Sequence, residues 1–175
     1  MKTLALRLLS GTVLLLLILC GICYHYGYRI NTSISYPTGL YQLVKGPKTY
    51  HRGELVLFCP PNNTVMQEAL YRDYIKPGLC SGNFEPVIKK VMAEEGDTVT
   101  FEGIVRINGI PVPGARMHSA DSLGRALPAQ STVTLAHSQF FLMSDHLPDV
   151  SFDSRYYGPV SASKIIDHIR PVFTR

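Results

Sequence analysis

Two serines and two lysines carry most of the chemistry legible in the chain. Ser33 and Ser35 stand in Asn31-Thr32-Ser33-Ile34-Ser35-Tyr36-Pro37-Thr38-Gly39-Leu40-Tyr41, where Pro37 and Gly39 impose a turn before an apolar run, so that a serine is displayed on a rigid bend. The same composition also describes a polar linker. Lys89 and Lys90 interrupt the apolar run from Val87 to Met92. In a strand, Lys89 shares a face with Val87 and Val91, and Lys90 with Ile88 and Met92, so one of the two must turn toward the interior; periodicity alone does not choose. A desolvated amine loses proton affinity and becomes a base able to deprotonate a serine hydroxyl. Lowering a lysine from about 10.4 to near 7 costs roughly 4 to 5 kcal/mol, a cost suited to one reactive group. The alternative is that both amines snorkel to water.

A third polar segment follows Phe140-Phe141-Leu142-Met143: Ser144-Asp145-His146, then Asp149-Val150-Ser151-Phe152-Asp153-Ser154-Arg155-Tyr156-Tyr157-Gly158. Its acids, hydroxyls and guanidinium can orient a lysine through hydrogen bonds, and Asp153 and Arg155 can pair. A Ser-His-Asp triad through His146 lacks a supporting pattern such as Gly-x-Ser-x-Gly. The six histidines show no metal-ligand spacing, so neither a metal nor another cofactor is expected.

These groups need a scaffold. The 175 residues suit one folded unit with a small appendage, and 46% hydrophobic content excludes a disordered chain. The apolar excess lies at the front. No charge occurs from Leu8 to Tyr24, Lys2 and Arg7 precede that run, and no small-residue cleavage site follows it, which predicts a retained single-pass anchor with a cytoplasmic N-terminus. The chain therefore divides into residues 1–29, N-terminus and anchor, and 30–175, an exported body. Residues 1–53 carry +6 and the remainder −2, a basic collar suited to a lipid surface and unlike the basic body of a nucleic-acid binder, with ordinary solvated charge as the plain alternative. An oxidising compartment would allow a disulfide between Cys59 and Cys80, while Cys20 and Cys23 fall in the apolar run. Asn31 and Asn62 each begin a glycosylation sequon, relevant only in a pathway that glycosylates.

The body reads as mainly β. Strands are expected at Gly39–Val44, Glu54–Cys59, Val87–Met92, Thr98–Ile107, Thr132–Leu135 and Gln139–Met143. Asn108-Gly109 predicts a two-residue hairpin turn, and Pro111 and Pro113 restrict the strand that follows to an edge. Helices are expected over Met66–Ile75 and Ser163–Ile169. Residues 111–131 read as a surface excursion without an assigned role.

In order, the anchor, the Ser-x-Pro bend, the Lys-Lys strand ending Gly96-Asp97, and the loop Asp153-Ser154-Arg155-Tyr156-Tyr157-Gly158 resemble the type I signal peptidases, the Ser/Lys membrane proteases. Pro37 two places after Ser35 looks like the TraF branch, the conjugative-transfer signal peptidases that mature pilin. The resemblance implies a signal-peptidase-like β body on one transmembrane helix, held in the bacterial inner membrane with its catalytic domain on the periplasmic side. It makes Ser35 the nucleophile and Lys89 the general base, gives Ser33 an oxyanion-hole hydroxyl, lets Asp153, with Ser151, order the site, and makes Arg155 a structural partner.

The resemblance further implies a membrane-associated pilin or preprotein substrate, with the acyl-enzyme resolved by water or by the pilin's own amino terminus to give a cyclic product. Ser144 and His146 replace the Gly and Asn usual beside Asp145, and Glu94-Glu95 replace the usual residues before Gly96-Asp97; these departures bear on substrate identity more than on chemistry. A housekeeping preprotein peptidase and a non-catalytic assembly subunit of a transfer apparatus are the rival readings.

Overall fold

A computed structural model describes residues 2–175, the side chains of residues 2–6 and 8 excepted, so the expectation placed on Lys2 lies outside the described side chains. Helix α1 spans Lys2–His25. Its apolar residues from Val13 to Leu19 are each 48–64% exposed, so nothing in the body covers them. Among the described residues, no helix is long and apolar enough to cross a membrane.

Strand β1 (Tyr28–Asn31) follows α1 directly and pairs antiparallel with β2 (Gly39–Val44). Together with β3 (Leu55–Phe58), β5 (Val87–Ala93), β10 (Gln139–Met143), β11 (Val160–Ser161) and β12 (Ile165–Thr174), they form a seven-stranded sheet ordered β1-β2-β12-β3-β5-β10-β11. β4 (Pro77–Cys80) lies in the excursion between β3 and β5. A second sheet, ordered β8-β7-β6-β9, is built from β8 (Ile110–Arg116), β7 (Ile104–Ile107), β6 (Thr98–Thr100) and β9 (Val133–Thr134).

The run Leu55-Val56-Leu57-Phe58 is apolar throughout because β3 is central and covered on both faces. Val56 and Phe58 pack with Met66 and Ala69 of helix α2 (Thr64–Tyr71), while Leu57 packs with Tyr36, Ile88 and Ile169 on the opposite side. A third cluster, including Val99, Val105 and Phe141, joins the two sheets.

Several boundaries match expectation, among them β2 and β10. The Asn108-Gly109 turn takes positive φ at both positions (51° and 80°), as a two-residue hairpin of this kind requires, and β8 with its prolines is an edge. Two expectations are corrected. Thr98–Ile107 is not one strand but β6 and β7, which turn back through Gly103 at φ 73°. Ser163–Ile169 is not helical: a 3-10 turn at Ala162–Lys164 leads into β12, where Ile165, Asp167 and Ile169 are buried at period two and the strand fills the slot between β2 and β3. The helix expected over Met66–Ile75 is α2, which starts earlier and ends at Tyr71; the Asn63 side chain caps it, accepting from Met66 N–H at 2.9 Å.

Candidate active site

The bend after β1 is held by Asn31. Its amide nitrogen donates to the carbonyls of Ser33 (3.0 Å), Tyr36 (3.1 Å) and Pro37 (3.0 Å), and its oxygen accepts from Ser33 N–H at 3.1 Å. The sequon asparagine is thus the internal brace of the loop that presents Ser35, a role that the spacing did not announce. Ser35 itself is nearly buried at 8% exposure.

β5 resolves the choice between the lysines. Lys89 faces the same side as Val87 and Val91, under α2, and is 3% exposed; Lys90 faces the other side and pairs with Asp145. Lys89 Nζ lies 2.9 Å from Ser35 Oγ and 2.8 Å from Ser151 Oγ. Burial pushes the amine down from 10.5 to about 8; Asp153 nearby opposes that shift and Arg155 reinforces it. When neutral, the amine can donate one N–H to Ser151 and use its lone pair to accept the Ser35 hydroxyl proton. Ser33 Oγ lies 3.0 Å from Ser35 Oγ and accepts from Ser35 N–H at 3.4 Å, so the hydroxyl expected at the oxyanion lies beside Ser35.

Helix α3 (Ser154–Tyr157) positions the remaining groups. Asp153 caps it, accepting from Arg155 N–H at 3.2 Å, and both residues are completely buried. The Arg155 guanidinium donates to Asp153 at 2.8 and 3.0 Å, to the carbonyls of Arg116 (2.8 Å) and Ser151 (3.0 Å), and to that of Pro148. Arg155 therefore fixes the backbone of Ser151, whose hydroxyl faces Lys89.

The structure brings together Ser33, Ser35, Lys89 and Ser151, with Asp153 and Arg155 behind them. Asp97, prominent in the sequence motif, instead serves the turn after β5, accepting from Glu94 N–H (2.9 Å) and Asn108 (2.8 Å). His146 stacks on Tyr36 with ring centroids 6.3 Å apart, and the Ser35 hydroxyl has Lys89 and Ser33, not a histidine, as partners.

Two further contributors were not anticipated. The Ser144 hydroxyl donates to the carbonyl of Ser35 at 2.5 Å and accepts from the His146 and Leu147 amides at 3.3 Å each. The Tyr36 hydroxyl donates to Asp145 at 2.6 Å, and burial followed by that bond raises its pKa strongly. Their only sequence signal was a polar pair ending the strand Gln139–Met143. Cys59 and Cys80 form a disulfide. Among the described residues, no cluster of three or more His, Cys, Asp or Glu could hold a metal.

Ser35, Lys89 and Ser151 open onto a cleft of about 640 Å³ with mixed lining, apolar at Ile34, Met66, Ile75 and Val87. A nucleophile, a desolvated amine and two hydroxyl or amide donors beside an open cleft can carry out acyl transfer.

Residues 1–174 match the model of the family described as signal peptidase, peptidase S26. A plasmid transfer protein TraF of Escherichia coli is 42% identical, with 90% of this chain and 89% of the relative covered. A conjugal transfer protein TraF of Agrobacterium fabrum is 38% identical over 85% of this chain and 83% of its own length. The crystal structure of a signal peptidase I from Enterococcus faecalis V583 covers 71% of this chain and 97% of that chain, at 19% identity and a TM-score of 0.40.

Proposed function

The chain belongs to the signal peptidase family, peptidase S26, and from that premise we propose that it is a membrane-anchored serine endopeptidase using a Ser35/Lys89 dyad to process a pilin precursor for conjugative transfer. One observation carries the chemistry: Lys89 Nζ, buried and lowered toward neutrality, lies 2.9 Å from Ser35 Oγ. Ser35 Oγ attacks the scissile carbonyl carbon while its proton passes to Lys89. The oxyanion takes hydrogen bonds from Ser35 N–H and the Ser33 hydroxyl, the C–N bond breaks, and Lys89 returns the proton to the leaving amine. Water, or the amino terminus of the pilin, then attacks the acyl-enzyme; the second route yields a cyclic product. Asp153 and Arg155 hold Ser151, and through it Lys89, in place.

In this reading α1 is the anchor, with the body on the periplasmic side of a bacterial inner membrane. Its uncharged run from Leu8 to Tyr24 and the exposure of its apolar side chains support it. The relatives' transfer names support the role in conjugation, and the pilin substrate is what the resemblance to the TraF branch implies.

The test is the intact mass of the candidate pilin in cells carrying this protein or its Ser35→Ala variant. A shortened product only with wild type supports the peptidase, and a mass one water below the linear product shows cyclisation. Equal masses in both would leave the housekeeping or assembly-subunit reading.

A further inference from the structure

The cleft at Ser35 is walled by two excursions. One, residues 60–85, is closed at its base by the Cys59–Cys80 disulfide and contributes Pro60, Met66, Tyr74 and Ile75; the other, residues 118–127, contributes Ala120, Asp121 and Leu127. The walls meet at Tyr74. Its hydroxyl donates to one oxygen of Asp121, which also accepts from Arg125 Nε at 2.6 Å. The Arg125 guanidinium lies 5.4 Å from the Tyr74 ring centroid, and Arg72 donates to the carbonyl of Ala126 at 2.8 Å. The other Asp121 oxygen accepts from the amides of Leu123 (2.9 Å) and Arg125 (2.8 Å), so the loop folds around its own carboxylate and presents it to Tyr74.

Behind this clasp lies a second hollow of about 350 Å³, and Tyr74, Leu127 and Phe152 line both spaces. These three side chains are the partition between them. The Tyr74 ring packs at 5.2 Å on Phe152, the residue after Ser151, so the partition abuts the group that faces Lys89.

We propose that Tyr74 is a specificity-determining residue for the substrate peptide. This rests on the Ser/Lys peptidase reading and deepens it: the hydroxyl joins the two walls, and the ring bounds the space offered to side chains of an extended apolar segment. The hydroxyl therefore governs how tightly the peptide is held, and the ring governs how large its side chains can be. Neither touches the reacting atoms.

The experiment compares wild type, Tyr74→Phe and Tyr74→Ala in the full-length, detergent-solubilised protein. The substrates are synthetic apolar peptides spanning the pilin cleavage site, with Ala or Leu beside the scissile bond. Loss of a hydrogen bond to a carboxylate predicts that Tyr74→Phe raises KM about tenfold with kcat within about twofold. Tyr74→Ala, by joining the two hollows, improves the Leu peptide relative to the Ala peptide by about tenfold in kcat/KM. An unchanged KM in Tyr74→Phe, or a kcat that falls in step with it, overturns the clasp; an unchanged Leu/Ala ratio in Tyr74→Ala overturns the partition. Tyr74→Phe, which keeps the ring, covers the case in which Tyr74→Ala does not fold. Ser35→Ala is run beside them: cleavage surviving in that variant sinks the peptidase reading itself, whereas its loss together with unaltered Tyr74 variants sinks only this inference.

Discussion

Two buried polar centres share Ser151, and they answer the loss of water in opposite ways. At Asp153–Arg155, both side chains are fully buried, and each is met by its oppositely charged partner, with backbone carbonyls taking the remaining guanidinium N–H groups. At Ser35–Lys89, the amine is equally deep, yet its hydrogen bonds go to two hydroxyls, and burial lowers it from 10.5 to about 8. The compensated pair is a fixed brace; the uncompensated amine is a group that can change charge. Proximity of the two lets the first aim the second.

The sharpest way to break this contrast is to give the second centre a permanent charge. Lys89→Arg cannot be deprotonated and Lys89→Met has no base, so both are expected to lose about 10⁴-fold or more in cleavage rate, read from single-turnover assays on the precursor. Substantial activity in Lys89→Arg would mean that a charge, not a base, is what the site needs.

Stability should move in opposite directions at the two centres. Arg155→Ala strands Asp153 and should cost about 3–5 kcal/mol, a melting point lower by on the order of 10 °C. Lys89→Met should instead gain up to roughly 3 kcal/mol at pH 7, because the lowered folded pKa penalises the wild type wherever lysine is charged in the unfolded chain. Below about pH 8 both states of the wild type hold the proton, and the penalty is constant. Between about 8 and 10.5 the unfolded chain holds it and the folded protein does not, so wild-type stability rises relative to Lys89→Met and the gap closes. Melting curves of both proteins across that range check the sign.

A smaller effect tests the donors. Ser33→Ala should lower kcat by about 10²-fold with KM nearly unchanged, since an oxyanion donor acts in the transition state. A change confined to KM would make Ser33 a binding group.

Much of the site was legible because it lies in short segments where residue type betrays purpose: Ser35 before Pro37, lysines inside an apolar run, and Asp153 two residues before Arg155. Which lysine turned inward was not legible in the alternation, only in the family resemblance, since both faces of β5 are apolar and the placement of α2 over Val87 and Val91 decides it. Ser144 and Tyr36 escaped for a related reason: their partners, the Ser35 carbonyl and the Asp145 carboxylate, lie 109 positions away in the chain; Asn31 bonds nearby backbone groups, which its sequon does not announce. Ile165–Ile169 fits helical spacing as well as alternation over so short a span, and the open slot between β2 and β3 settles it as strand. The Tyr74–Asp121 contact joins two loops 47 residues apart whose composition carried no signal of their meeting.

The most direct test is the pH dependence of kcat/KM for precursor cleavage by the wild-type protein. A desolvated Lys89 acting as base predicts a rise through a midpoint near 8 and a plateau before pH 10. A rate still climbing above pH 10, as for an ordinary solvated lysine, would contradict it.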